Sequence, residues 1–188
     1  MMIVCGIDPS LTGTAVVWGE SITEFNHERL SSKPCGDGVV ARMRRLESLV
    51  GKIDKLIRMI GPDLILIEGY SFGSKCNREF LGEFGGVCRW HLIDHTPNVL
   101  EVSPSHLKQF VTGKGNAKKD VVAAHCANRW GVMFDDSDTY DAFGLYAIAL
   151  AAAGQFTPGT AIQSEVVGKI LAGHKLTFEP RPHVAATT

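Results

Sequence analysis

Nothing in these 188 residues has the length of a membrane span, because no apolar run approaches the roughly 20 residues needed to cross a bilayer. A disulfide framework is equally absent. The five cysteines (Cys5, Cys35, Cys76, Cys88 and Cys126) are odd in number, widely spaced and include no Cys-x-x-Cys pair. That usage argues against a zinc site and points to reduced thiols in a cytosol. The first apolar run has no basic segment ahead of it and no clean small-residue cleavage site after it, and it carries Asp8 and Pro9. A cytoplasmic protein without membrane attachment is therefore expected. No internal repeat is visible, and the net charge is only −1, which alone gives no reason to expect a polyanionic partner. What is present is the 45% apolar and 21% charged content of an ordinary globular chain, long enough for one domain with a proper core.

The charge is unevenly placed. Residues 103–130 carry Lys108, Lys114, Lys118, Lys119 and Arg129 against Asp120, a local +4, while residues 135–141 carry Asp135, Asp136, Asp138 and Asp141, a local −4. A basic segment beside a carboxylate cluster is what a metal-dependent enzyme acting on a polyanion needs.

The stretch from Met2 to Trp18 organises the rest. Ile3, Val4, Cys5 and Ile7 read as a strand buried on both faces. Asp8 closes that strand, and an ionised carboxylate in such a place needs a donor or a cation. Pro9 and Gly13 then turn the chain. Thr14 to Trp18 and about Ser21 to Arg29 read as two further strands of a hairpin turning at Gly19-Glu20. Residues 30–38 are a loop by composition. From Val39 to Ile60 the apolar residues Met43, Leu46, Val50, Ile53, Leu56, Ile57 and Ile60 fall at helical spacing, with arginines and lysines mostly on the solvated side.

Asp63 to Glu68 is a short apolar run that reads as a second buried strand, again ending in a carboxylate. A loop with Tyr70 and Phe72 leads to a helix from about Lys75 to Leu92, whose Gly82, Gly85 and Gly86 suggest close contact with another element. Asn98 to Val102 is a further strand. Ser103 caps a short helix to about Thr112, and another helix follows from Ala117 to Trp130. Asp138 is the expected N-cap of the next, running to Ala153, with Asp141 on the same face of its first turn. Ala161 to Leu171 suits a last helix before an exposed tail. Residues 1–154 are expected to form the main domain and 155–188 a C-terminal extension.

Asp8, Glu68, Asp138 and Asp141 thus end strands or open a helix. Together they supply hard oxygen ligands suited to magnesium or manganese, and a pair of such ions can activate water and stabilise the leaving oxygen of a phosphodiester. Four converging carboxylates without a cation would repel one another.

These residues resemble the RuvC-type Holliday junction resolvases of the RNase H-like superfamily. The matching pieces are Gly6-Ile7-Asp8-Pro9-Ser10 with Thr12-Gly13, Ile67-Glu68, Leu107-Lys108-Gln109, the stretch from Gly115 to Val122, and Asp138 to Ala142. They lie in order across about residues 1–152. The resemblance implies an α/β RNase H-like fold with a five-stranded mixed sheet, its first three strands antiparallel and helices on both faces. It also implies two magnesium ions on Asp8, Glu68, Asp138 and Asp141, with manganese able to substitute, and a catalytic lysine at Lys119 with Lys118 as the adjacent choice. The products would carry 5′-phosphate and 3′-hydroxyl ends. DNA contacts are expected at Lys108, Lys114 and Lys118, and Phe72 or Tyr70 would wedge into the centre of the junction unless both merely pack against the following helix.

Ala15, where the family often has glycine, and the Gly-Tyr-Ser-Phe after Glu68 depart from the pattern, and about 35 C-terminal residues lie outside it. The expected function is paired symmetric nicking of four-way junctions in DNA recombination or repair. Two symmetric nicks call for a homodimer, whose contact is expected on the Lys75 to Leu92 helix through Gly82, Gly85, Gly86, Phe80, Leu81, Phe84 and Val87 unless these pack wholly against the chain's own sheet. The alternatives are a general branched-DNA nuclease, an actin-like or sugar-kinase-like nucleotide-binding module, and a catalytically idle relative. The kinase-like fold needs two such domains, more than 188 residues supply, and retention of four carboxylates argues against an idle protein.

Overall fold

The computed structural model describes residues 2–34, 36–70 and 78–178. A five-stranded sheet in the order β3-β2-β1-β4-β5 forms the middle layer. Its strands are β1 (Val4–Asp8), β2 (Thr14–Gly19), β3 (Phe25–Leu30), β4 (Leu64–Glu68) and β5 (Val99–Val102). β1 pairs antiparallel with β2 and parallel with β4, so the first three strands form a meander and the last two arrive by crossover. The helices are α1 (Gly38–Ile60), α2 (Arg78–Leu92), α3 (Pro104–Thr112), α4 (Lys119–Trp130), α5 (Ser137–Ala152) and α6 (Ala161–Leu171).

β1 is buried along its whole length, as an unbroken apolar run requires. Alternation sends Cys5 and Ile7, with Ile65 and Ile67 of β4, onto the face covered by α1 and α2. Val4, Leu64 and Leu66 go to the other face, under α3, α4, α5 and α6. By the same parity Asp8 and Glu68 fall on the α5 side. α5 is apolar nearly all round and is buried from Thr139 to Leu150 apart from Tyr140. It lies so close to β1 that a Cβ at Gly6 would stand 2.3 Å from the Ala142 carbonyl oxygen and 2.4 Å from the Tyr146 nitrogen. Only glycine permits that approach, and it brings the first turn of α5 down beside the end of β1.

Local expectations need five adjustments. The β2–β3 connection spans residues 20–24 rather than two residues, because Ser21 accepts the Glu24 N–H and draws the chain into a wider turn. The N-cap of α5 is Asp136, which accepts from the Asp138 and Thr139 amides at 3.0 Å, so Asp138 lies inside the first turn with its side chain free for other partners. Met43, counted in the apolar stripe of α1, is exposed at the rim. α4 starts at Lys119, two residues late, since Ala117 closes a turn onto Lys114. The cationic side of α1 is also less idle than a solvated face, for Arg45 donates to the Leu11 and Ser32 carbonyls and anchors the loop that follows Asp8.

α6 forms where its pattern places it, and its Val166, Val167 and Ile170 join the α5-side core. Gln163 donates to the Phe110 carbonyl of α3, and Asn98 exchanges two hydrogen bonds with the Thr177 backbone, so the extension lies against the sheet's parallel edge. Among the described residues no helix is long and apolar enough to cross a membrane.

Candidate active site

Parallel pairing of Ile7 with Ile67 sets Asp8 and Glu68 side by side at the C-terminal ends of β1 and β4. Asp141, one turn into α5, hangs over them, and Asp138 stands at the edge nearer solvent. Asp8 and Asp141 are only 6% and 5% exposed, so their charge is poorly hydrated. Asp8 is held well above the usual carboxylate range by burial first, then by the charges of Glu68, Asp141 and Asp138. Burial and the charge of Asp141 push Glu68 up to about 7, against the pull of its hydrogen bond with Asp8 and of Lys119 and Lys108. Asp141 rises to about 6 through burial, with the same two lysines opposing. Asp8 and Glu68, side by side at neighbouring strand ends, therefore resist ionising together.

Lys119, at the start of α4, places its Nζ 3.1 Å from Asp138 Oδ1, 3.1 Å from Ser137 Oγ and 3.9 Å from Asp141 Oδ2. Partial burial disfavours its charge, but the hydrogen bond to Asp138 and the surrounding carboxylates outweigh that and raise its pKa. The second oxygen of Asp138 faces Arg29 of β3, with Nη2 at 3.8 Å. On the Asp138 side the repulsion among the four acids is eased by two basic side chains, Lys119 and Arg29. Among the described residues no three His, Cys, Asp or Glu side chains are drawn tightly enough to cage an ion as they stand. The donor set is nonetheless all carboxylate, which suits a hard divalent cation, and such an ion would offset the cost of ionising buried acids.

All four sequence-predicted acids and Lys119 meet here. Lys108, expected only to touch DNA, sits on α3 close enough to pull Glu68 and Asp141 down, so it belongs to the same cluster. Lys114 and Lys118 are exposed around the loop that leads into α4. Tyr70 is 44% exposed, but its ring lies 4.5 Å from the Arg89 guanidinium and its hydroxyl donates to the Gly82 carbonyl. Phe72 lies outside the described residues. Arg89 and Arg29 had no signal in the sequence: Arg89 ties the Glu68 carbonyl to Gly85 of α2 and Glu101 of β5, contacts that only the folded chain creates. Gly85 is the one α2 glycine with a close neighbour, and that neighbour is this Tyr70–Arg89 pair of the same chain.

Comparison with known proteins matches residues 4–151 to the family model described as crossover junction endodeoxyribonuclease RuvC. The crossover junction endodeoxyribonuclease RuvC of Alkaliphilus oremlandii is 28% identical over 126 residues, 64% of this chain and 74% of that protein. Its counterpart in Cytophaga hutchinsonii is 30% identical over 127 residues, 65% of this chain and 62% of that one. Among solved structures, Thermus thermophilus RuvC in complex with Holliday junction substrate superposes with a TM-score of 0.63 at 20% identity, over 84% of this chain and 99% of that one. The superposition shows the RNase H-like fold.

Proposed function

The chain belongs to the RuvC family of crossover junction endodeoxyribonucleases, and from that membership we propose how its own residues carry the reaction. It is a DNA-cleaving hydrolase of the Holliday junction resolvases, and the nucleotide-binding alternative finds no support in the match.

Asp8, Glu68, Asp138 and Asp141 would hold divalent metal, two magnesium ions per site with manganese able to substitute. The observation that carries this reading is the convergence of four carboxylates from two strand ends and one helix turn, three of them with raised pKa values. When bound, such ions activate a water as nucleophile and stabilise the leaving 3′ oxygen, giving 5′-phosphate and 3′-hydroxyl ends. The chain's own residues do the rest. Lys119, whose ammonium rests on Asp138, and Lys108 on α3 offset charge that develops on the scissile phosphate. Lys114 and Lys118 meet backbone phosphates beside it.

The substrate is branched DNA, the four-way junction above all. Tyr70 is already engaged by Arg89 and Gly82, which favours Phe72 as the aromatic that enters the junction centre. Residues 1–154 act as the nuclease domain and 155–188 as an extension. A homodimer supplies two identical sites for paired nicks.

Cleavage of a four-way junction beside a linear duplex of the same sequence tests the proposal. Magnesium-dependent nicking of the junction, paired in opposite strands, is the expected result. Asp8→Asn should abolish it while leaving binding intact, and calcium, less strict in geometry, should support binding with little cleavage. Unchanged magnesium-dependent activity in Asp8→Asn would refute the site. Equal cleavage of junction and duplex would leave a general nuclease.

A further inference from the structure

Arg29 is placed by strand register rather than by any motif. It lies on edge strand β3 opposite Ala15 of β2, which in turn lies opposite Asp8 of β1. The three side chains therefore form one row on the α5 face of the sheet. Ala15 is too small to obstruct the row, and Gly13 leaves space beside it: a Cβ there would stand 2.1 Å from Arg29 Nη2 and 2.4 Å from its Cζ and Nε. The guanidinium lies flat on that glycine with Nε 3.6 Å from Asp136 Oδ1 and Nη2 3.8 Å from Asp138 Oδ2.

Those ion pairs do not account for the arginine. Both distances exceed hydrogen-bond reach, so its N–H donors are not spent on any described residue. The side chain is 46% exposed, where an ion pair contributes little to folding. Asp136 is already satisfied, since it accepts from two amides and from the Thr139 hydroxyl at 2.7 Å. What remains is a planar fork with unspent donors, held at the rim of a site whose substrate is a phosphodiester. That is the geometry for gripping a phosphate with two parallel bonds.

We propose that Arg29 is a substrate-binding residue, making a bidentate contact to a DNA phosphate on the β3 side of the carboxylates while Lys119 and Lys108 serve from α4 and α3. The assignment rests on the DNA-cleaving function given above and adds a residue to it. Gly13 and Ala15 then have a shared role in leaving the guanidinium its place.

Binding of a fluorescent four-way junction in calcium, measured over a salt series, separates a phosphate contact from a structural one. Arg29→Ala should weaken binding on the order of tenfold, as loss of a charge-assisted hydrogen bond does. It should also make the slope of log K against log salt shallower by about 0.9, the signature of one lost phosphate contact. Arg29→Lys should keep the slope and recover only part of the affinity, because a point charge replaces the fork. Gly13→Ala, which displaces the guanidinium without removing it, should weaken binding in the wild-type background and add little to Arg29→Ala. An Arg29→Ala protein with wild-type affinity and slope would overturn the assignment. Failure of the wild type to bind the junction would overturn the underlying function as well, so the two are told apart.

Discussion

The buried carboxylates Asp8, Glu68 and Asp141 make the site sensitive to pH before any substrate arrives. Folding raises Asp8 above its usual range, Glu68 to about 7 and Asp141 to about 6, through burial first and neighbouring charge second. In the unfolded chain such groups ionise near the ordinary value of about 4. Between those limits the folded protein binds more protons than the unfolded one, so its stability falls as pH rises from about 4 to about 7 and is lowest above that window. In a chelator, the thermal midpoint should drop by a few degrees between about pH 5 and about pH 8. Asp8→Asn should flatten the drop, and calcium should restore more stability at the higher pH. A midpoint that climbs with pH would mean that the carboxylates do not meet. For Lys119 the expectation is kinetic: Lys119→Ala should slow single-turnover cleavage of the bound junction about a hundredfold, with a smaller effect on affinity. Unchanged single-turnover rates would reduce it to a positioning charge.

At the level of elements, the site depends on how closely α5 lies on β1. Gly6 lets the helix backbone touch the strand, and α5 carries Asp138 and Asp141 at the end where the contact is made. Gly6→Ala forces apart two backbones that have no flexible end to give, at a cost of about 1–3 kcal/mol. In a protein of this size that corresponds to about 2–4 °C of thermal midpoint per kcal/mol, readable by calorimetry. Cleavage should fall further than the stability loss explains, because the carboxylates of α5 retreat from those of β1 and β4. A variant with wild-type midpoint and rate would show that the close approach is dispensable. The opposite end of the scale is α4, which holds Lys119 through its first turn and shares the α5-side core through Val122 and Cys126.

For the whole molecule, the open question of assembly turns on the outer face of α2. Phe84, Cys88 and Leu92 point into the chain's own core, so Phe84 is not available to a partner as the sequence pattern suggested, while Phe80 and Leu81 pack against the core's edge and stay half-buried. Gly82 has open space where a side chain would be, a Cβ at Gly86 would only touch the Tyr70 hydroxyl at 3.9 Å, and Val87, Trp90 and Ile93 are exposed nearby, Trp90 at 71%. Two glycines with Val87 and Trp90 on α2, and Ile93 just past its end, form the surface a two-fold partner would cover. Sedimentation at micromolar concentration should therefore show a dimer, and Trp90→Glu should shift it to monomer while leaving the midpoint of the monomer nearly unchanged. On a cruciform plasmid the same variant should turn paired nicks into single ones. A wild-type protein that stays monomeric on the junction and nicks without pairing would remove the dimer from the mechanism.

Much of this molecule follows from residues close together in the chain. The apolar run from Ile3 to Ile7 fixes a central strand, the one from Leu64 to Ile67 a second, and each ends on its carboxylate because the strand ends there. α6 and the Ser103 cap of α3 also lie where local spacing sets them, since helix periodicity and caps act within a few residues. Tertiary structure decided the remainder. It engaged the Asp138 side chain with Lys119, while Asp136 caps α5. It brought Lys108 into the acidic cluster, turned Phe84 inward, and spent Gly85 on Tyr70 and Arg89. Each of these depends on strand register, or on the reach of a long side chain toward a residue far away in sequence. Local pattern specifies the pitch of an element and where it ends, but partners of that kind exist only once the elements have packed.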